Sequence, residues 1–90
     1  MKSLYEINLQ REILREKSAE ILADFFRYME TQKIEEFDIK TPVGQLYQTV
    51  EDIYNNIFKS SKFEGMKELS EANGKLDLAR EILKNCYLEK

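Results

Sequence analysis

The chain has 90 residues, of which 42% are hydrophobic and 34% are charged, with a net charge of −3. This balance excludes a disordered chain, and no apolar run reaches the length that a membrane span requires. The sequence has no histidine and a single cysteine, which argues against zinc sites, histidine-based catalysis and an internal disulfide. The negative charge argues against nucleic acid as a partner. We expect one helical domain over residues 1–90, cytoplasmic, not an enzyme, with no cofactor or metal.

The first predicted element is a long helix over about residues 4–32. It opens on Ser3-Leu4-Tyr5-Glu6, a capping-box pattern in which the Ser3 hydroxyl and the Glu6 carboxylate accept free backbone N–H groups. Charged residues of both signs interleave along this segment, which favours a solvated face. Its most basic stretch holds Arg11, Arg15 and Lys17, and the alternative is that it contacts nucleic acid or an acidic partner. Apolar residues recur at spacings of three, four and seven on another face: Leu4, Ile7, Leu14, Ile21, Leu22, Phe25, Phe26, Tyr28 and Met29.

A loop over residues 33–41 separates this helix from a shorter second one, predicted at about 42–59. Thr41 followed by Pro42 is typical of a helix start, because proline lacks the N–H that would be unpaired there. Tyr47 and Tyr54 are seven residues apart and form an aromatic column with Phe58. They are either the rim of the core or anchors for a partner.

The third helix is predicted at about 62–88, after a second capping-box pattern at Ser61–Glu64. Leucines recur in it every seven residues, and small residues interleave with them at Gly65, Ala72, Ala79 and Cys86. Small side chains let a neighbouring helix approach closely, so we expect this line to be a helix-packing seam. Asn73-Gly74 alone would indicate a turn or a cap, but the unbroken heptad favours a continuous helix.

The predicted fold class is all-α, a three-helix bundle with long first and third helices and a shorter second helix. A short second helix cannot cover both neighbours, so the first turns of helix 1 and the last turns of helix 3 should project at opposite ends. A protein partner or a second copy in a homodimer would cover them. The partner-binding candidates are Leu4, Tyr5, Ile7, Tyr47, Tyr54, Leu83 and Tyr87.

The stretch GKLDLAREIL, residues 74–83, resembles the closing helix of small helical accessory proteins of bacteriophages and bacterial mobile elements. The resemblance implies a small accessory protein in the cytoplasm of a bacterium or an infected host cell. Together with the lack of a catalytic motif, it favours a non-enzymatic protein that binds another protein, as an inhibitor or regulator of a host or defence factor. The alternatives are a self-associating structural or assembly protein and a nucleic-acid-binding accessory factor of a phage or bacterium.

Overall fold

The computed structural model describes residues 4–85, which form three α-helices and one short 3-10 turn. Helix α1 spans Leu4–Gln32, α2 spans Pro42–Asn56 and α3 spans Met66–Leu83, and the turn spans Ser61–Phe63. The described residues contain no β-strand, so the predicted all-α three-helix bundle is confirmed. No described helix is both long enough and apolar enough to cross a membrane.

Helix α1 ends in a Schellman motif. The Lys33 N–H donates to the Glu30 carbonyl oxygen at 3.2 Å, and the Ile34 N–H donates to the Met29 carbonyl oxygen at 3.1 Å. Lys33 has a φ of 56°, which most residues other than glycine avoid. The motif pairs carbonyl groups that the helix end leaves free and turns the chain into the loop.

Helix α2 begins as its sequence predicts. Thr41 is the N-cap, its Oγ1 accepts a hydrogen bond of 3.0 Å from the Gly44 N–H, and Pro42 follows in the first turn. The loop packs tightly on this first turn, because a Cβ atom added at Gly44 would meet the Asp38 carbonyl oxygen at 1.8 Å. Glycine is therefore required here by close approach of the backbone.

The connection between α2 and α3 differs from the sequence-based expectation. Helix α2 ends at Asn56, and the predicted capping box does not start α3. Instead the Ser60 hydroxyl accepts from the Lys62 N–H at 3.3 Å and caps the 3-10 turn. The turn carries Phe63 into the core, where only 7% of it is exposed, so the chain must change direction before α3 begins at Met66.

Helix α3 is continuous through Asn73-Gly74, as the heptad favoured. Of the four residues of the predicted helix-packing seam, Ala72 and Ala79 are buried within the helix. Gly65 is instead the N-cap, in an extended conformation just before the helix, because α3 starts later than expected. Cys86 lies outside the described residues.

The three helices share one hydrophobic core. Pairs between α1 and α3 advance together along both helices, with Lys17 bonded to Asn73 and Glu20 beside Arg80, so these two helices run in the same direction. Helix α2 runs antiparallel to both, from the C-terminal end of α1 back towards the start of α3. The buried apolar residues are Leu14, Ile21, Phe25, Val50, Ile53, Ile57, Phe63, Leu69, Ala72, Leu76, Ala79 and Leu83.

Candidate protein-binding surface

The first described residues of α1 extend past the rest of the bundle. Arg11 Nε donates a hydrogen bond of 2.9 Å to the carbonyl oxygen of Phe63, in the turn that joins α2 to α3. That turn forms the end of the bundle where α2 connects to α3. Residues 4–10 continue past this turn for about 10 Å at 1.5 Å per helical residue, with Ile7 still packed against the core.

Apolar side chains on this end of α1 are open to solvent. Leu4 is 70% exposed, Tyr5 76%, Leu9 42% and Ile13 46%. Tyr5, Leu9 and Ile13 are four residues apart, so they form one row along the helix, which we call the apolar stripe. Contiguous exposed apolar groups make the apolar stripe a candidate interaction surface.

The last turns of α3, which the sequence predicts as a second exposed end, do not form an exposed apolar surface within the described residues. Leu83 is 4% exposed and belongs to the core. The contact of 3.5 Å between Arg80 and Glu20 places the end of α3 beside the middle of α1. Ile7 is half-buried against the core, and Tyr87 lies outside the described residues. Leu83 is thus a packing residue and not part of an exposed surface.

Tyr47 lies in an aromatic cluster at the loop end of the bundle. Its ring stacks on that of Phe37 with centroids 4.7 Å apart and meets the edge of Phe25 at 5.7 Å. Its hydroxyl donates a hydrogen bond of 2.8 Å to the Glu51 carboxylate. Burial, followed by this hydrogen bond and the negative charge of Glu51, raises the pKa of Tyr47 to about 12. Tyr47 therefore acts as a neutral packing residue.

Tyr54 lies two turns after Tyr47 on α2, where its ring faces an arginine of α1. The Cζ of Arg15 is 5.0 Å from the ring centroid of Tyr54 and 5.9 Å from that of Phe58. Both distances are within the range of cation–π attraction. Phe58 remains 48% exposed, so this group of side chains is part of the molecular surface.

Within residues 4–85 the structure offers no metal-binding cluster of histidine, cysteine or carboxylate side chains. Ser18 is the one buried polar residue of this part of the chain, and its Oγ donates to the Arg15 carbonyl oxygen at 2.8 Å. The Ser18 hydroxyl is therefore satisfied by a backbone carbonyl group of α1. The exposed side chains, and not an enclosed site, are the candidates for function.

The sequence places Arg15 in a basic stretch that either forms a solvated face or contacts nucleic acid or an acidic partner, and it does not predict the contact with Tyr54 and Phe58. Its contact with Tyr54 and Phe58 depends on how α1 and α2 pair, and no local pattern encodes that pairing. The only available signal was the spacing of four between the two aromatic residues, which places them together on one face of a helix.

Comparison with known proteins identifies a protein family. A model of the bacterial epsilon antitoxin family matches residues 3–86, which is nearly the whole chain. No curated protein and no solved structure matches significantly. The match agrees with the expected small accessory or regulatory protein, although it indicates no phage-specific family. The chain belongs to the bacterial epsilon antitoxin family.

Proposed function

We propose that this protein is a non-enzymatic inhibitor that binds a zeta toxin, the toxin with which epsilon antitoxins are associated. The family match supports inhibition of a toxin by a protein, and the projecting end of α1 supports direct binding. The observation that carries the proposal is the apolar stripe, in which Tyr5 is 76% exposed at the end of a rigid helix.

The geometry suits one recurrent mode of recognition, in which a helix lays apolar side chains into a groove of its partner. Such helices present anchors at spacings of three, four and seven residues. Tyr5, Leu9 and Ile13 have this kind of spacing, and the bundle holds the rest of α1 in place. Because the helix is already formed, binding does not have to offset the entropy of ordering it.

Substitution of two exposed leucines tests this function. Leu9 is 42% exposed on the apolar stripe, and Leu78 is 54% exposed on α3. We expect Leu9→Glu to weaken toxin binding by about 10-fold or more, since a charge would enter an apolar contact. Leu78→Glu introduces the same charge elsewhere and should leave binding within about threefold.

The assay measures affinity by calorimetry with a purified zeta toxin, and growth of cells that express the toxin together with each variant. Thermal melting of both variants checks that they fold. Wild type that neither binds nor protects would reject the inhibitor function. Wild type that protects, with both leucine variants equally effective, would reject the apolar stripe as its binding surface.

Self-association is the competing use of the same surface. A second copy that covered the apolar stripe would make the chain a dimer in solution. Light scattering after size-exclusion chromatography distinguishes the two uses, because a dimer through the stripe should become monomeric in Leu9→Glu and stay dimeric in Leu78→Glu.

A further inference from the structure

Arg15 differs from the other arginines of the chain in what its guanidinium contacts. Arg11 donates to a carbonyl oxygen, Arg27 pairs with Asp24, and Arg80 lies beside a carboxylate. Arg15 contacts only the rings of Tyr54 and Phe58 and makes no side-chain hydrogen bond or ion pair within residues 4–85. Its five N–H donors therefore have no acceptor from this part of the protein.

The two rings restrict the position of this guanidinium. An arginine held over aromatic rings still has its N–H donors available, and their planar fork matches the two oxygens of a carboxylate. A partner that binds such a preorganised group immobilises fewer side chains and loses less entropy. The contact with Tyr54 and Phe58 thus prepares Arg15 for a bidentate acceptor.

The cavity beside Arg15 favours an anion and limits its size. It has a volume of 150 Å³ and is lined by Arg15, Tyr54, Asn55, Phe58 and Lys59. The lining contains two cations and an amide but no carboxylate. Small-molecule sites measure roughly 300 to 1,000 Å³, so this cavity suits a single side chain better than a free ligand.

Acidic residues near Arg15 limit the direction from which an anionic group can enter the cavity. Glu12 and Glu16 line a separate depression with Arg15 and Phe58. They would repel a polyanion that covered this face, and the net charge of −3 opposes it further. One carboxylate entering on the side of Lys59 avoids them.

We infer that the cavity of Arg15, Tyr54, Phe58 and Lys59 receives an aspartate or glutamate side chain of the toxin. The inference rests on the proposed function and adds a polar contact to the apolar stripe. Arg15 is about 9 Å from Leu9 along the axis of α1 and about 120° from it around the helix, so the toxin contacts both only if it wraps around this part of α1. Arginine and tyrosine are also the residues that most often dominate binding energy at interfaces.

Arginine substitutions at two positions of α1 test the inference by calorimetry with purified zeta toxin. Arg15→Gln removes the charge and the planar fork, and we expect affinity to fall about 10- to 100-fold. Arg15→Lys keeps a cation over the rings but loses the bidentate geometry, and it should lose about 5- to 20-fold. Arg27→Gln, an exposed arginine elsewhere on the helix, should stay within about threefold.

Lys59→Gln provides a second variant, because Lys59 is exposed and its loss leaves the core intact. We expect about a two- to fivefold loss of affinity, smaller at high salt. Melting curves of all variants separate a loss of binding from a loss of folding. A drop in affinity at unchanged melting temperature supports recognition by Arg15.

A double-mutant cycle identifies the acceptor. Each exposed aspartate and glutamate of the toxin is changed to its amide and tested against wild type and Arg15→Gln. We expect one toxin carboxylate whose loss weakens binding to wild type but not to Arg15→Gln. Wild type that binds the toxin while Arg15→Gln binds equally well would overturn this inference alone. Wild type that does not bind would overturn the proposed function and this inference with it.

Discussion

Lys17 on α1 donates a hydrogen bond of 2.7 Å from Nζ to Asn73 Oδ1 on α3. The same ammonium contacts the Asp77 carboxylate one turn further along. Asparagine is a poor helix former, and its place in the middle of α3 has a structural reason. The short amide reaches the neighbouring helix and fixes the level of α1 against α3.

Lys17→Met tests this link between the helices. Methionine keeps the apolar stem but removes the donor, so the Asn73 amide loses its partner, and we expect the free energy of unfolding to fall by about 1 kcal/mol. Lys67→Met is the control, since Lys67 is exposed on the same bundle, and it should change stability by less than about 0.5 kcal/mol. Urea denaturation measures both. Equal effects would show that the Lys17 hydrogen bond contributes nothing.

Two glycines should respond in opposite directions to alanine. A Cβ atom at Gly74 meets no atom within 4 Å, so Gly74→Ala should stabilise the protein by about 0.5 to 1 kcal/mol. A Cβ atom at Gly44 would meet the Asp38 carbonyl oxygen, and Gly44→Ala should cost about 1 to 3 kcal/mol. Melting temperatures give the two signs. A destabilised Gly74→Ala would contradict a continuous α3.

Ala79 is fully buried where α3 packs against the rest of the core. It is 0% exposed, so Ala79→Leu would add three carbon atoms to a filled space and should cost about 1 to 3 kcal/mol. Ala23→Leu makes the same change at an exposed position of α1 and should stay within about 0.5 kcal/mol. The difference between the two urea midpoints is the measurement. An unchanged Ala79→Leu would mean that the core has unused room.

Periodic patterns were enough to predict the architecture. Leu14 and Ile21 on α1, like Leu69 and Leu76 on α3, recur every seven residues, and each of these side chains is buried. Repetition over several turns fixes one face of a helix, and the fold class follows from three such faces. Local signals were weaker. The second capping-box pattern predicts that α3 starts at Ser61, whereas Ser61–Phe63 form a 3-10 turn that carries Phe63 into the core.

The candidate surface was predicted only where it depends on one helix. Tyr5 is exposed because α1 extends past the turn that follows α2. The predicted lengths of α1 and α2 are enough to expect this extension from the sequence. Leu83 was misplaced because α3 begins late and lies beside the middle of α1. Arg15 depends on the relative rotation of α1 and α2, which is set by packing between residues far apart in sequence. Contacts of this kind produce no periodic pattern in the sequence.

Tyr47 should make stability depend on pH in the alkaline range. Its pKa is raised from 10.0 to about 12 in the folded protein, so folding favours the neutral hydroxyl. This contribution is fully present below pH 10 and is lost as the pH rises towards 12, because the unfolded chain then releases the proton first. We expect the stability advantage of wild type over Tyr47→Phe to shrink between pH 10 and 12 in urea titrations. Burial is the largest cause of the shift, so Glu51→Gln should lower the pKa of Tyr47 only part of the way towards 10.0. An advantage over Tyr47→Phe that stays constant up to pH 12 would show that the hydroxyl titrates alike in the folded and unfolded chain.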